Sequence, residues 1–191
     1  MDAAVKTVVI SGYYGFGNSG DEAVLQSILL ALKEQGALCG LSLEPVVLSV
    51  RPEWTKSMYG VKAVHRMKPM EVFRTIRQSD ALISGGGSLL QDVTGWGSIP
   101  YYLGIVRMAQ LLGKPTFIYS QGIGPVRRRI FPPLIRSVFK RAQYISVRDA
   151  ESARILERFG VLPERIDIVP DPVMGLSLSG SKDANMEKPY D

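Results

Sequence analysis

Three glycine-rich segments and one arginine are the parts of this sequence whose residue types are best suited to chemistry. Glycine lets backbone N–H groups approach a ligand closely, and converging N–H donors bind phosphate or carboxylate. An arginine guanidinium can hold two oxygens of the same anion. The residues expected to contact such a ligand are Arg148 and, from the three segments, Gly15, Gly17, Asn18, Gly20, Gly85, Gly86, Gly87, Ser88, Gln121, Gly122 and Gly124. This set predicts a binding cleft for an anionic substrate.

Two neighbouring carboxylates and three aromatic residues could contact a sugar in such a cleft. Asp21 and Glu22 follow the first glycine-rich segment, and we predict that they are catalytic. The helix dipole should favour their ionised form, which suits a base or a hydroxyl ligand better than a general acid. The equal alternative is that they only stabilise the first turn of a helix, by about 0.3–1 kcal/mol. Trp96, Tyr101 and Tyr102 could stack on a sugar face, with core packing as the equal alternative.

The first segment also has the spacing GxGxxG from Gly15 to Gly20, which is typical of dinucleotide-binding proteins. The acidic pair in the next helical turn would neutralise the helix dipole and repel a pyrophosphate. The second predicted strand runs into Arg51 and lacks the acidic residue that would hold a ribose diol. We therefore expect that the cleft does not bind a nicotinamide cofactor.

Short β-branched segments alternate with amphipathic ones, which predicts a parallel sheet with helices on both faces. We predict strands at residues 7–11, 45–50, 61–64, 80–84, 116–120, 144–147 and 166–169. The helix after the first strand should end at Gly36, and Asp149 should cap the last helix. The fold class is therefore α/β, a Rossmann-like doubly wound domain. Ligands bind such sheets at the carboxyl ends of the strands, where the glycine-rich segments and Arg148 fall.

The composition narrows the choice of partner and compartment. The 191 residues carry 23 Lys and Arg against 18 Asp and Glu, a formal charge of +5 that suits an anionic ligand but is small for a nucleic-acid-binding protein. Cys39 is the single cysteine, which excludes an intrachain disulfide, and we place it in the core. His65 is the single histidine, so we predict no metal site. The sequence has no uninterrupted run of about 18 apolar residues, so we predict no transmembrane segment and expect a cytoplasmic domain.

The character of the sequence changes near its end. Residues 177–191 are small, polar and unpatterned, as at the start of an interdomain linker. We therefore expect one Rossmann-like N-terminal domain over residues 1–176, followed by the beginning of a linker. A chain that stops inside a linker is expected to be part of a longer protein.

Four motifs resemble the polysaccharide pyruvyl transferase family, and closely its CsaB-type members from bacterial cell-wall biosynthesis. They are residues 15–22 (GFGNSGDE), 85–92 (GGGSLLQD) and 120–125 (SQGIGP), and residues 146–149 (SVRD) with Ser152. They occur in order within residues 7–176, which makes the likeness far more specific than a single glycine-rich loop.

The resemblance implies a reaction. Members of the family transfer an enolpyruvyl-derived group from phosphoenolpyruvate to a sugar, leaving a pyruvate ketal and phosphate. The CsaB type implies N-acetylmannosamine in a lipid-linked precursor of a secondary cell-wall polymer, which later anchors S-layer proteins. Phosphoenolpyruvate is then the donor substrate with Arg148 as a ligand, and no cofactor is implied. The reaction would take place in the cytoplasm, at the inner face of the membrane where such an acceptor resides.

The resemblance also implies an architecture. The family is similar to two-domain GT-B glycosyltransferases, whose active site lies between two Rossmann-like halves. The second half, with its Arg-Leu-His motif, is absent from this sequence, so the chain is expected to be the N-terminal half and to be nearly inactive alone. Two alternatives remain open, a nucleotide-sugar glycosyltransferase of the same fold and a non-catalytic sugar-binding module.

Overall fold

The computed structural model describes residues 4–92 and 97–175, and these residues confirm the predicted α/β fold. The strands are β1 (Ala4–Tyr14), β2 (Leu41–Ser49), β3 (Lys62–His65), β4 (Ala81–Gly85), β5 (Thr116–Gln121), β6 (Tyr144–Val147) and β7 (Asp167–Ile168). The helices between them are α1 (Ser19–Leu38), α2 (Pro52–Tyr59), α3 (Pro69–Gln78), α4 (Ser98–Leu111), α5 (Phe131–Phe139) and α6 (Ala150–Arg158). Short 3₁₀ turns cover Pro163–Arg165 and Pro172–Gly175.

The order of the strands opens a crevice in the middle of the sheet. The sheet has seven strands in the order β3-β2-β1-β4-β5-β6-β7, and neighbouring strands pair in parallel. From β1 the chain moves outward through β2 to β3, and it then returns to the other side of β1 as β4 and moves outward in the opposite direction. The connections therefore diverge between β1 and β4, which is where doubly wound sheets bind their ligands.

Helices cover both faces of the sheet because both faces of its central strands are apolar. Side chains alternate between the two faces along a strand. Val9 and Leu48 belong to the core cluster to which α3, α4, α5 and α6 contribute, whereas Ile10 and Val47 belong to the cluster packed against α1. Helices α1 and α4, which follow β1 and β4, thus lie on opposite faces and border the crevice from two sides.

Several local predictions are wrong, each for a packing reason. Helix α1 continues past Gly36, where a Cβ would lie 3.0 Å from the carbonyl of Leu41, so this glycine lets the helix approach β2. Cys39 follows the helix and is exposed, so its predicted place in the core is wrong. Helix α2 was not predicted because only Thr55 in it is buried, which leaves no apolar pattern. Strand β1 continues through an irregularity to Tyr14, which pairs with Ser49.

The end of the described chain returns to the crevice. The turn Pro172–Gly175 contacts α1. The predicted linker, residues 177–191, lies outside the described residues, as does Trp96. None of the helices within residues 4–92 and 97–175 has the length and apolar character needed to cross a membrane.

A pair of glycine substitutions tests the close packing at the crevice. Gly86 and Gly113 have φ of 70° and 71°, but a Cβ at Gly86 would collide with Val24 of α1 whereas a Cβ at Gly113 meets nothing within 4 Å. In both alanine variants the free energy of unfolding should fall by about 1–2 kcal/mol, because alanine is strained in the left-handed conformation. In Gly86→Ala it should fall by about 1–3 kcal/mol more, because the methyl group overpacks against Val24. Urea denaturation of both variants measures the difference, and equal losses would contradict this packing.

Candidate functional site

A cleft of about 750 Å³ lies at the carboxyl ends of β1, β4 and β6. The predicted site residues that line it are Asn18, Gly20, Asp21, Gly87, Ser88 and Arg148. Gly124 lines a neighbouring cleft of about 660 Å³, which shares Ser88, Gln91 and Arg148 with the first. The remaining predicted residues are absent from the lining of either cleft as the described residues form them: Gly15, Gly17, Glu22, Gly85, Gly86, Gln121 and Gly122.

Arg148 lies between the two clefts and is held from three sides. Its Nη2 donates to Ser88 Oγ at 2.9 Å, and its Nε is 3.5 Å from Asp149 Oδ2. A Cβ at Gly122 would lie 2.9 Å from the Arg148 Nε and 3.0 Å from Cζ, so the absence of a side chain there makes room for the guanidinium. The side chain remains 36% exposed. The guanidinium is therefore fixed in position and still open to an anion.

Asp21 is the predicted carboxylate that faces the cleft. It lies against Gly87, where a Cβ would collide with its Oδ1. Burial raises the pKa of Asp21 above its ordinary value, the neighbouring Glu22 raises it further, and Arg148 acts in the opposite direction. The sequence predicted the reverse, because a helix N-terminus favours the ionised form; here loss of solvation outweighs the dipole. A carboxyl with a raised pKa is suited to exchange a proton with a substrate.

Glu22 is engaged inside the protein rather than in the cleft. Its Oε1 accepts a hydrogen bond from the Gly15 amide at 2.7 Å, and its Oε2 accepts one from the Tyr59 hydroxyl at 2.8 Å. The side chain is buried. Burial and the bond to Glu22 raise the pKa of Tyr59 well above its ordinary value. As the described residues place it, Glu22 ties the first glycine-rich loop to α2 and does not line the cleft, so its predicted catalytic role has no support from this geometry.

Most of the glycine amides expected to grip an anion are already bonded to protein acceptors. The donors and their acceptors are Gly15 to Glu22 Oε1, Gly20 to Asn18 Oδ1, and the amides of Gly86, Gly122 and Gly124 to the carbonyls of Tyr119, Gly87 and Leu90. Buried N–H groups need such partners, so these amides are already engaged within the protein. Around the cleft, the amides of Gly87 and Ser88 have no acceptor among the described residues. These two amides remain candidates for an anion.

The other predicted residues shape the loops. Gln121 is buried, and its Nε2 donates to the carbonyls of Gly87 at 2.9 Å and Gly122 at 3.1 Å, which joins the second and third loops. Ser120 before it has a φ of 45°, a strained conformation for a non-glycine residue. The Tyr14 hydroxyl donates to the Gly85 carbonyl at 2.7 Å and joins the first and second loops.

The edge of the first loop is held by an arginine. Arg51 Nε donates to the Gly15 carbonyl at 2.6 Å, and a Cβ at Gly17 would lie 3.1 Å from Arg51 Nη2. Gly15 and Gly17 have φ of 83° and 78°, which only glycine adopts readily. These two glycines therefore serve the bend of the loop, and neither is part of the cleft lining that the described residues form.

Sequence reasoning missed a buried arginine beside the cleft. Arg66 is 8% exposed, donates to the Gly12 carbonyl at 3.0 Å, and donates to the Tyr102 hydroxyl from both Nη atoms at 3.3 and 3.2 Å. Its guanidinium also lies 4.2 Å from the ring centre of Tyr101. Tyr101 and Tyr102, expected to stack on a sugar or in the core, thus pack against Arg66, and Tyr102 also lines the cleft. Arg66 directly follows β3, so the rule that singled out Arg148 could have found it.

The described residues contain no group of three or more His, Cys, Asp or Glu side chains that could hold a metal ion.

Comparison with known proteins gives a family match. The family model described as polysaccharide pyruvyl transferase matches residues 18–190. Among curated proteins, the amylovoran biosynthesis protein AmsJ of Erwinia amylovora is 26% identical over 91 residues, covering 48% of this chain and 21% of that protein. The match therefore spans about a fifth of the relative's length.

Solved structures give a likeness of fold. Anabaena Alr3699/HepE in complex with UDP and glucose superposes with a TM-score of 0.57 at 9% identity, over 87% of this chain and 44% of that one. The S. aureus MnaA–UDP structure has a TM-score of 0.54 at 14% identity, over 95% of this chain and 48% of that one. The UDP-GlcNAc 2-epimerase of Neisseria meningitidis bound to UDP-GlcNAc has a TM-score of 0.53 at 13% identity, over 89% of this chain and 47% of that one. The chain therefore corresponds to less than half of each neighbour.

The charges around Asp21 predict how its pKa responds to substitution. Arg148→Ala should raise the pKa of Asp21 further, and Glu22→Gln should lower it, because these are the charges that act on it. In the wild type, folded Asp21 keeps its proton over a pH range where the unfolded chain has lost it. The contribution of Asp21 to the free energy of unfolding should therefore fall as pH rises from 3.8 through the raised pKa, and it should appear as the difference between the wild type and Asp21→Asn over that pH range.

Carboxyl ¹³C NMR titration measures these pKa values directly. Asp80 is the control, because its pKa is lowered by a hydrogen bond from Lys6 and should not change in either variant. An Asp21 pKa that falls in Arg148→Ala would contradict the electrostatic arrangement of the cleft.

Proposed function

The chain belongs to the polysaccharide pyruvyl transferase family, and on this premise we propose that its cleft binds phosphoenolpyruvate and serves transfer of the pyruvyl group to a sugar. The observation that carries the proposal is the partly exposed guanidinium of Arg148 beside the amides of Gly87 and Ser88, which have no acceptor within residues 4–92 and 97–175. Phosphoenolpyruvate bears a phosphate and a carboxylate, and such anions bind where guanidinium and N–H donors converge. Arg148 and the amides of Gly87 and Ser88 offer this combination at the rim of the cleft.

The proposed reaction joins C2 of phosphoenolpyruvate to two hydroxyls of the sugar. A proton is added to C3 of phosphoenolpyruvate, which makes C2 electrophilic, and the first hydroxyl attacks C2. The C2–O bond to phosphate then breaks, and the second hydroxyl attacks C2 to close the ketal. The two hydroxyl protons balance the proton gained at C3 and the proton carried away on hydrogen phosphate.

The residues of this chain have two roles in that scheme. Asp21, whose carboxylate lines the cleft, accepts the proton of an attacking hydroxyl, and its raised pKa makes it a stronger base than an ordinary carboxylate. Arg148 stabilises the negative charge on the departing phosphate. The cleft holds the hydroxyls near C2, which removes much of the entropic cost of bringing the reactants together.

The finer assignment rests on the CsaB-type motifs. We infer an acceptor containing N-acetylmannosamine in a lipid-linked precursor of a secondary cell-wall polymer, modified in the cytoplasm at the inner face of the membrane and later used to anchor S-layer proteins. A second domain, across the cleft from this one, would supply further cationic groups and the acid that protonates C3.

The test is a donor comparison with the full-length protein that carries this domain. Incubation with phosphoenolpyruvate and an N-acetylmannosaminyl lipid should release phosphate and give a product with the mass of the pyruvate ketal. UDP-sugars should give no transfer to the same acceptor. Transfer from a UDP-sugar without use of phosphoenolpyruvate would identify a glycosyltransferase instead, and absence of any reaction with intact binding of the sugar would identify a binding module.

Arg148 should govern use of the donor. In the full-length protein, Arg148→Ala should lower kcat/KM for phosphoenolpyruvate. The loss should correspond to about 2–4 kcal/mol of transition-state stabilisation, as for removal of a preorganised donor to a developing charge. Gly122→Ala should act in the same direction because its methyl would displace the guanidinium. Arg77→Ala, at the exposed end of α3, is the control of equal charge change. Unchanged kinetics in Arg148→Ala would remove Arg148 from the site.

The 191-residue chain alone should turn over little or no substrate. The cleft is bounded by one Rossmann-like domain, and the proposed acid and additional cations lie outside it. A phosphate-release assay with the isolated chain and with the full-length protein, at equal concentrations, measures the difference. Equal rates would show that this domain contains a complete active site.

A further inference from the structure

Two aromatic rings lie exposed and stacked at the mouth of the cleft. Tyr13 and Phe16 have ring centres 3.9 Å apart and planes within 4° of each other, and they are 38% and 42% exposed. Tyr13 lies near the end of β1, Phe16 lies in the first glycine-rich loop that follows, and Tyr13 lines the cleft. Stacked aromatic rings that stay in contact with solvent beside a polar cleft mark a binding surface rather than a core.

The buried Arg66 supports this pair from below. Its guanidinium lies 5.4 Å from the centre of Phe16 and 4.2 Å from that of Tyr101. Phe16 therefore contacts both the Tyr13 ring and the Arg66 guanidinium. Arg66 forms no ion pair with the described residues and is satisfied by the Gly12 carbonyl, the Tyr102 hydroxyl and the ring faces. This layered arrangement fixes Phe16 and thereby Tyr13.

Tyr13 is 38% exposed and lines the cleft, so part of its ring is open to a ligand there. Polar side chains line the same cleft: Asn18, Asp21, Ser88 and Tyr102. A pyranose ring has a matching chemistry, with apolar C–H groups on a face and hydroxyls around its edge. Aromatic faces bind such C–H groups while polar side chains bind the hydroxyls.

We infer that Tyr13, held by Phe16 and Arg66, is the platform on which the acceptor sugar stacks. The platform orients the ring so that a hydroxyl on its edge lies towards Asp21. The inference rests on the proposed function for the identity of the sugar as an acceptor. It assigns Tyr13 to acceptor recognition and separates it from Arg148, which is assigned to the donor.

Saturation-transfer NMR on this chain with the methyl glycoside of N-acetylmannosamine tests the platform. Saturation should reach the ring C–H protons, and Tyr13→Ala should weaken binding about tenfold while Tyr13→Phe retains it. Leu38→Ala, which truncates a 78% exposed side chain at the far end of α1, is the matched control and should bind as wild type. Circular dichroism and thermal unfolding verify that each variant is folded.

Kinetics of the full-length protein separate this inference from the proposed function. Tyr13→Ala should raise KM for the acceptor about tenfold and leave KM for phosphoenolpyruvate unchanged. Tyr13-dependent binding of the sugar without any phosphoenolpyruvate chemistry would sustain the platform and overturn the proposed donor. Two results would overturn the platform whatever the donor. One is sugar binding that is absent or does not depend on Tyr13, and the other is Tyr13-dependent saturation transfer to uridine and not to the sugar.

Discussion

The divergence of the chain between β1 and β4 is the constraint on which the site depends. Because α1 and α4 leave the sheet on opposite faces, the carboxyl ends of two adjacent strands are left uncovered. The glycine-rich loops can then approach one another closely enough to be joined by hydrogen bonds of Tyr14 and Gln121. Gly122 adds the space in which the Arg148 guanidinium rests. The crevice is thus a consequence of topology, and its chemistry is a consequence of packing in the loops.

Two buried ionisable side chains, Glu22 and Arg66, support the first loop. Glu22 accepts bonds from Gly15 and Tyr59, and Arg66 donates bonds to Gly12 and packs on aromatic rings. Removing a partner from a buried charged group is strongly destabilising, so each holds its neighbours in a single arrangement. The side chains that face the cleft, Asp21 and Arg148, can therefore remain partly exposed and still be fixed in position.

The alternation of strands and helices could be predicted from apolar periodicity, and the edge of the sheet that carries the site followed from it. The role of Asp21 was predicted from its helix terminus, but the direction of its pKa was wrong because burial comes from loops distant in sequence. The position of Arg66 after β3 could have been read from the sequence, but its burial against Tyr102, 36 residues away, could not. Helix α2 and the exposure of Cys39 have no signal in local periodicity. Contacts between distant segments thus decided what the sequence pattern left open.

The most direct test of the central claim is an NMR titration of this chain with phosphoenolpyruvate, observing backbone amides and arginine Nε–H groups. The account predicts saturable shifts that are largest at the amides of Gly87 and Ser88 and at Arg148 Nε, and that disappear in Arg148→Ala. Shifts that do not saturate, or that centre on α2, α3 or α5 and persist in Arg148→Ala, would contradict an anion site at the crevice.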